Sequence, residues 1–187
     1  MKKILFLILF LPIHILAQDY SNILEVLPIS DGNVTYSSVT SLPNQNKAKI
    51  YSAIRKWAFN LPKYVVASES EVTLEDKEDG VIVIQQKMFV PDYDNPQYTE
   101  CYATQTINIQ VKNERYKYII DNIEIEYANK QFPDIGSELP INSFLDISST
   151  RLEANKQLLY FFDKKINDML QSLTIEIPKF IKEEDDW

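Results

Sequence analysis

Apolar and polar residues alternate from Cys101 to Lys112. Ile107, Ile109 and Val111 fall on one side of an extended chain, and Thr106, Asn108, Gln110 and Lys112 on the other. A period of two predicts a strand with one buried face. Arg115 to Tyr127 reads as its antiparallel partner, and Asn113-Glu114 between them as a tight hairpin connection. The partner carries a fault. Tyr116, Tyr118 and Ile120 share one parity, whereas Ile123, Ile125 and Tyr127 share the other. In an unbroken ladder half of these side chains would face solvent, so the pattern predicts a bulge or sharp bend at Asp121-Asn122. Three further runs read as strands: Val34 to Thr40, Tyr64 to Leu74 and Val81 to Val90. A charged turn, Glu75 to Gly80, separates the last two, and Pro91 to Thr99 reads as a loop.

Two segments keep helical spacing instead. Ile50, Ile54 and Trp57 predict a helix over about residues 46–59, entered through Asn44 to Asn46 and stopped by Pro62. A longer one opens with the capping-box pattern Thr150-x-x-Glu153 and holds an apolar stripe from Leu152 through Phe162, Ile166 and Met169 to Leu173. Thr174 to Ile177 reads as a short added strand, followed by Pro178 and an acidic tail. Residues 128–147, with Pro133, Gly136 and Pro140, form a connector. The order β-α-β-β-β-β-α, with no linker long enough to divide it, predicts a single α+β domain over residues 18–187.

Residues 1–17 stand apart. Lys2-Lys3, an apolar run from Ile4 to Leu16 and the small Ala17 make the pattern of a secretory signal cleaved near Ala17. The run falls short of the ~20 apolar residues that a membrane helix needs. No cysteine follows the cleavage point, so no lipid anchor is expected, and nothing later is apolar enough to span a bilayer. Cleavage would remove Lys2 and Lys3, taking 19 bases to 17 against 27 acids, a net charge of about −10. The densest basic stretch, Lys112 to Lys117, is interrupted by Glu114, so no basic patch is expected and nucleic-acid binding is disfavoured. With 45% hydrophobic and 25% charged residues the chain is able to build a core without disulfides. Its one cysteine, Cys101, reads as a small buried hydrophobe in a strand.

Particular residues resemble a family of secreted bacterial domains of unknown function whose fold is like that of the TATA-box-binding protein. They are Leu27-Pro28, Asp31-Gly32 and Tyr36, then Tyr51 and Trp57 in the first helix, and Val111-Lys112 with Arg115 to Tyr118 at the hairpin. The resemblance covers roughly residues 24–127. It implies a curved antiparallel sheet with both helices on one face, and it brings no activity with it.

The candidate chemistry is mostly negative. His14 is the only histidine and lies in the signal-like segment, so Ser-His-Asp and Cys-His arrangements and His-based zinc sites are excluded from the mature chain. No serine has a lysine three positions later, no G-x-S-x-G elbow occurs, and three glycines leave no phosphate loop. Counting back from Gly80, Lys77 spoils a calcium loop, and Asp92, Asp94 and Asn95 read as a solvated loop. Glu69 with Glu71 and Glu124 with Glu126 share strand faces at a separation of about 7 Å, a spacing that permits carboxylate-only glycan hydrolysis but is a weak signal for it, since an exposed strand face explains both pairs. No catalytic residue, metal or cofactor is therefore expected.

What remains is a surface. If both helices cover one side of the sheet, the reverse is wet or occupied. Thr106, Asn108, Gln110 and Lys112 belong to it from one strand, and Lys117, Asn122, Glu124 and Glu126 from the next. Tyr93 and Tyr98 stand beside it on a loop. The expected function is an exported, non-catalytic module that binds an unknown envelope protein or ligand there. The alternatives are the carboxylate-based glycan hydrolase and a structural envelope subunit whose open sheet stacks on another copy.

Overall fold

The computed structural model describes residues 22–65, 68–91, 98–129 and 137–185, so the signal-like segment, Asp92 to Asp94, Asn95 and Tyr93 lie outside the described residues. In chain order it contains a short helix α1 (Ile23–Val26), a small hairpin of β1 (Ile29–Ser30) and β2 (Asn33–Val34), β3 (Tyr36–Ser41) and helix α2 (Lys47–Tyr64). Strands β4 (Ser68–Asp76), β5 (Val81–Phe89), β6 (Tyr98–Lys112), β7 (Arg115–Asn129) and β8 (Ser137–Pro140) follow, then a 3-10 turn (Ile141–Phe144) and helix α3 (Leu152–Asp185).

The main sheet is antiparallel in the order β3-β7-β6-β5-β4. Its alternation puts Ile82, Ile84 and Met88 of β5 and Ile107, Ile109 and Val111 of β6 on one buried face. Helix α2 brings Ile50, Ile54, Trp57 and Leu61 to that face, and α3 brings Phe162, Ile166, Met169, Leu173 and Ile177. The two helices touch each other: the Trp57 indole N–H donates to Ser172 Oγ at 3.0 Å. Tyr36 of β3 donates its hydroxyl to Asp163 of α3 at 2.8 Å, with its ring 6.2 Å from that of Phe162. Both helices thus shield one side of the layer, and the expected α+β architecture stands.

Helix α2 runs past Pro62, which was expected to end it, and α3 runs past Leu173, where its apolar stripe was expected to stop, and on through Pro178. Pro62 lies inside α2 and Pro178 inside α3. Each removes one backbone donor, from the turns that begin at Ala58 and Thr174. The apolar stripe outlasts the defect in both cases, because Leu61 and Val65 are buried around Pro62 and Ile177, Phe180 and Ile181 around Pro178. Burial of these side chains, each about 1.5–3 kcal/mol when complete, outweighs one missing bond. Thr174 to Ile177 is accordingly helix and not an added strand, and Tyr64 is helical, so β4 starts at Ser68. The expected first strand is split between β2 and β3, the connector contains β8, and Tyr98 opens β6 opposite Asn129 where a loop was expected. At the start of α3, Ser149 Oγ accepts from the Arg151 N–H at 3.1 Å, while Glu153 pairs with Lys156 and forms no capping box with Thr150.

The fault in β7 is a bulge. Thr104 pairs with Glu124 and Thr106 with Asp121, so Asn122 and Ile123 together oppose Gln105. Asn122 takes φ 50°, the left-handed region where asparagine is tolerated better than most residues. The extra residue keeps Ile123, Ile125 and Tyr127 buried with Tyr116 and Ile120. Tyr118 is half-buried against the same core, so the tyrosines of this strand are packing residues. Cys101 is buried as well.

Asp163 has a consequence for stability. Burial pushes its carboxyl above the usual range, while bonds from Tyr36 and from Asn167 Nδ2 (2.9 Å) pull it down. An acid whose folded pKa is raised favours the native state while it stays protonated and loses that advantage as pH climbs from the reference value of 3.8 through the folded value. Asp163→Asn removes the charge and keeps an acceptor for Tyr36. Denaturation midpoints of variant relative to native chain are expected to be higher at neutral pH and to converge below the carboxylate range. A difference independent of pH would contradict this.

Candidate functional site

The sheet face away from the helices is covered by no element among the described residues. Its rows follow from the register. At the hairpin end, Lys112 of β6 lies opposite Arg115 of β7, and Gln110 opposite Lys117, with Val39 of β3 beyond. In the middle row Asn108 faces Ile119 on one side and Val83 on the other, and Val83 is paired with Leu74 at the β4 edge. At the far end Thr104 lies between Lys87 and Glu124, and Tyr102 between Phe89 and Glu126. Strand β8 extends this end, with Glu138 opposite Glu126.

All eight residues assigned to this face by parity are on strands that present it, but they are not equivalent. Thr106 is buried and accepts a hydrogen bond from Gln85 Nε2 at 3.0 Å, so it contributes little accessible surface. Asn108 is half-buried and donates to Asp121 Oδ1 at 3.4 Å. Gln110, Lys112, Lys117, Asn122 and Glu124 are exposed. Glu126 forms an ion pair with Lys87, whose ammonium also sits 4.7 Å from the Tyr102 ring centroid. Tyr98 opens β6, and Tyr93 lies outside the described residues.

The face is less hydrophilic than its polar positions suggested. Val39 and Leu74 are 59% and 53% exposed, with half-buried Ile119 and Val83 between them. Strict polar alternation would have left no such band.

Its charges are also segregated. Lys112, Arg115 and Lys117 line a small hollow of about 150 Å3 with Val39 and Gln110, and they have no acidic partner among the described residues. This corrects the expectation that no basic patch exists. Glu114, which interrupts the run in sequence, takes φ 63° and turns away, its Oε1 accepting from Asn44 N at 3.1 Å. The opposite end is acidic, with Glu69, Glu71, Glu124 and Glu138 all exposed. None of these four is enclosed in the apolar pocket that a carboxylate hydrolase requires.

A second feature lies at the bulge. Strand β7 pairs with β3 up to Ile120 and with β8 from Glu124, so its edge is open at the residues between. The gap opens into a polar notch of about 560 Å3 lined by Asp31, Asn33, Asp121, Asn122, Glu124 and Asn142, among others. Asn142 ties its walls together, donating to Gly32 O at 3.1 Å and Asn33 Oδ1 at 2.7 Å and accepting from Val34 N at 3.3 Å. Asp31 (φ 52°) and Asn122 (φ 50°) hold left-handed backbone on either side. No three carboxylates or other ligand groups among the described residues converge on a metal position. Sequence parity found Asn122 and Glu124 here. Asp31, Asn33 and Asn142 come from distant segments, and the Asp31-Gly32 turn was their only local signal.

No helix among the described residues is long and apolar enough to cross a membrane. No curated protein matches the chain. Solved structures do, two of them as follows. One is a DUF4468 family protein from Bacteroides ovatus, with a TM-score of 0.60 and 15% identity over 83% of this chain and 95% of that one. The other is a TBP-like protein from Parabacteroides distasonis, with a TM-score of 0.56 and 18% identity over 80% of this chain and 98% of that one. At such identities the likeness is one of fold. Residues 36–126, which span β3 to the acidic end of β7, match the family model described as a domain of unknown function (DUF4468) with TBP-like fold.

Proposed function

We propose that the chain is an exported, non-catalytic module that binds a protein partner on its open sheet face. The observation that carries this reading is the row of half-buried Ile119 and Val83 and exposed Leu74, broken by Asn108 and lying between a basic and an acidic end, with exposed Val39 in the basic hollow beside it. A sheet face kept only for solvent has no use for such a row, and exposed apolar surface rimmed by charge is the usual composition of a docking surface. Export is supported by the basic, apolar and small-residue order of residues 1–17. Alanine at Asn108, Gln110 and Glu124 together is expected to abolish capture of the partner from the cell envelope without moving the unfolding midpoint. Undiminished capture by the folded triple variant would place binding elsewhere.

A further inference from the structure

The ends of the open face are complementary to each other. We infer that its partner is a second copy of this chain, docked face to face about a twofold axis that runs parallel to the sheet, midway between the two copies, and crosses the strands; this rests on the reading of that face as a docking surface. An axis along the strands would set each end against its own kind. One across the strands sets the basic end of each copy over the acidic end of the other, twice.

The register makes the match specific. The face has successive outward rows led on β7 by Arg115, Lys117, Ile119, Asp121, Glu124 and Glu126. Turning one copy about an axis between the rows of Ile119 and Asp121 brings Lys117 over Glu124 and Arg115 over Glu126. On the neighbouring edge, Val39 of β3 meets Pro140, which occupies the same side of β7 through β8. Lys117 of each copy thereby gains a partner, Arg115 joins the Lys87–Glu126 pair, and the row of Ile119, Val83 and Leu74 is covered by the row of Asp121, Gln85 and Glu71 of the other copy. The acids Glu69 and Asp76 of β4 would meet like charge, and lie at the outer edge where solvent screens them. Size is adequate too. With strands about 4.8 Å apart and same-face residues about 6.8 Å apart, the rows of β3, β7, β6 and β5 cover about 750 Å2, close to the ~800 Å2 per partner of a stable interface.

The test is sedimentation velocity on the chain in the form its host accumulates, across a wide concentration range, with two charge-reversed variants. Lys112→Glu/Arg115→Glu/Lys117→Glu makes both ends acidic, and Glu124→Lys/Glu138→Lys makes both basic. These side chains are exposed, so the variants should keep the native unfolding midpoint, which circular dichroism checks. Native chain is expected to form a dimer that weakens with added salt. Each variant alone should dissociate at least tenfold more readily, while an equimolar mixture should associate again. A chain that stays monomeric at every concentration, or variants that pair as the native chain does, would overturn the second copy as occupant. Neither result would touch the alanine test above, which judges the open face itself.

Discussion

Trp57→Ala is expected to cost about 3–5 kcal/mol, a large share of the ~5–15 kcal/mol that holds a domain of this size together. Trp57 is wholly inaccessible at the centre of α2, on the side that meets both the sheet and α3. Removing the indole leaves a cavity that two helices and a sheet cannot jointly close, because each is pinned elsewhere. Helix α2 is tied at its start, where Asn46 Oδ1 accepts from Lys49 N at 2.9 Å and Asn113 Oδ1 from Lys47 N at 2.9 Å. Helix α3 is tied through Tyr36 and Asp163. The substitution also deletes the bond to Ser172, whose hydroxyl keeps a second partner in Met169 O at 2.6 Å. Trp57→Phe separates the two contributions: it retains most of the volume and loses the N–H, for about 1–2 kcal/mol. Urea unfolding followed by circular dichroism measures both. A loss below about 1 kcal/mol for alanine would mean that α2 does not anchor the core.

The parts of this fold that were legible from the chain are those written in short-range periodicity. The β6–β7 hairpin, the inward parity of Ile107 and Ile109, and the bulge at Asn122 follow from counting residues, because a side chain's face on a strand depends only on its neighbours. Helix ends were misjudged where a local rule met a longer one. Proline is a strong stop signal in isolation, yet Ile177, Phe180 and Ile181 carry the stripe of α3 beyond Pro178 and their burial decides the outcome. The candidate site was legible by halves. Parity assigned Gln110, Lys112 and Lys117 to the open face, but their convergence with Val39 depends on β3 pairing with β7 across a long stretch of chain. Linear sequence also counted Glu114 as an interruption of the basic run. Only the left-handed turn shows that it points away. The notch was least legible, since Asp31, Asn33 and Asn142 meet Asp121 solely because β7 changes neighbour from β3 to β8 at its bulge.

Replacing Gln86 and Gln105 together by methionine is expected to raise stability by about 2 kcal/mol. The pair faces the helices in the middle of the buried side, directly opposed in register, with Ile84 and Met88 on one strand and Ala103 and Ile107 on the other. Gln105 Nε2 donates to Gln86 Oε1 at 2.6 Å and lies 3.8 Å from Met88 Sδ. Gln86 Nε2 and Gln105 Oε1 then remain buried without a partner among the described residues. Exchanging oxygen and nitrogen on both amides moves the orphans to the other two atoms and removes neither. Each buried unpaired group costs about 1–3 kcal/mol, whereas the single bond returns about 0.5–1.5 kcal/mol, so the pair is a net loss beside an apolar one of similar volume. One substitution alone behaves differently. Gln105→Met breaks the bond and strands both polar atoms of Gln86, which holds that variant within about 1 kcal/mol of the native chain. The signature is therefore non-additive: two nearly neutral single variants and a stabilised double one, read from urea midpoints in a double-mutant cycle. A double variant less stable than the native chain would show that the amides are satisfied in the folded protein and belong to a polar network that the core needs. Because both side chains point away from the open face, neither result should alter association there.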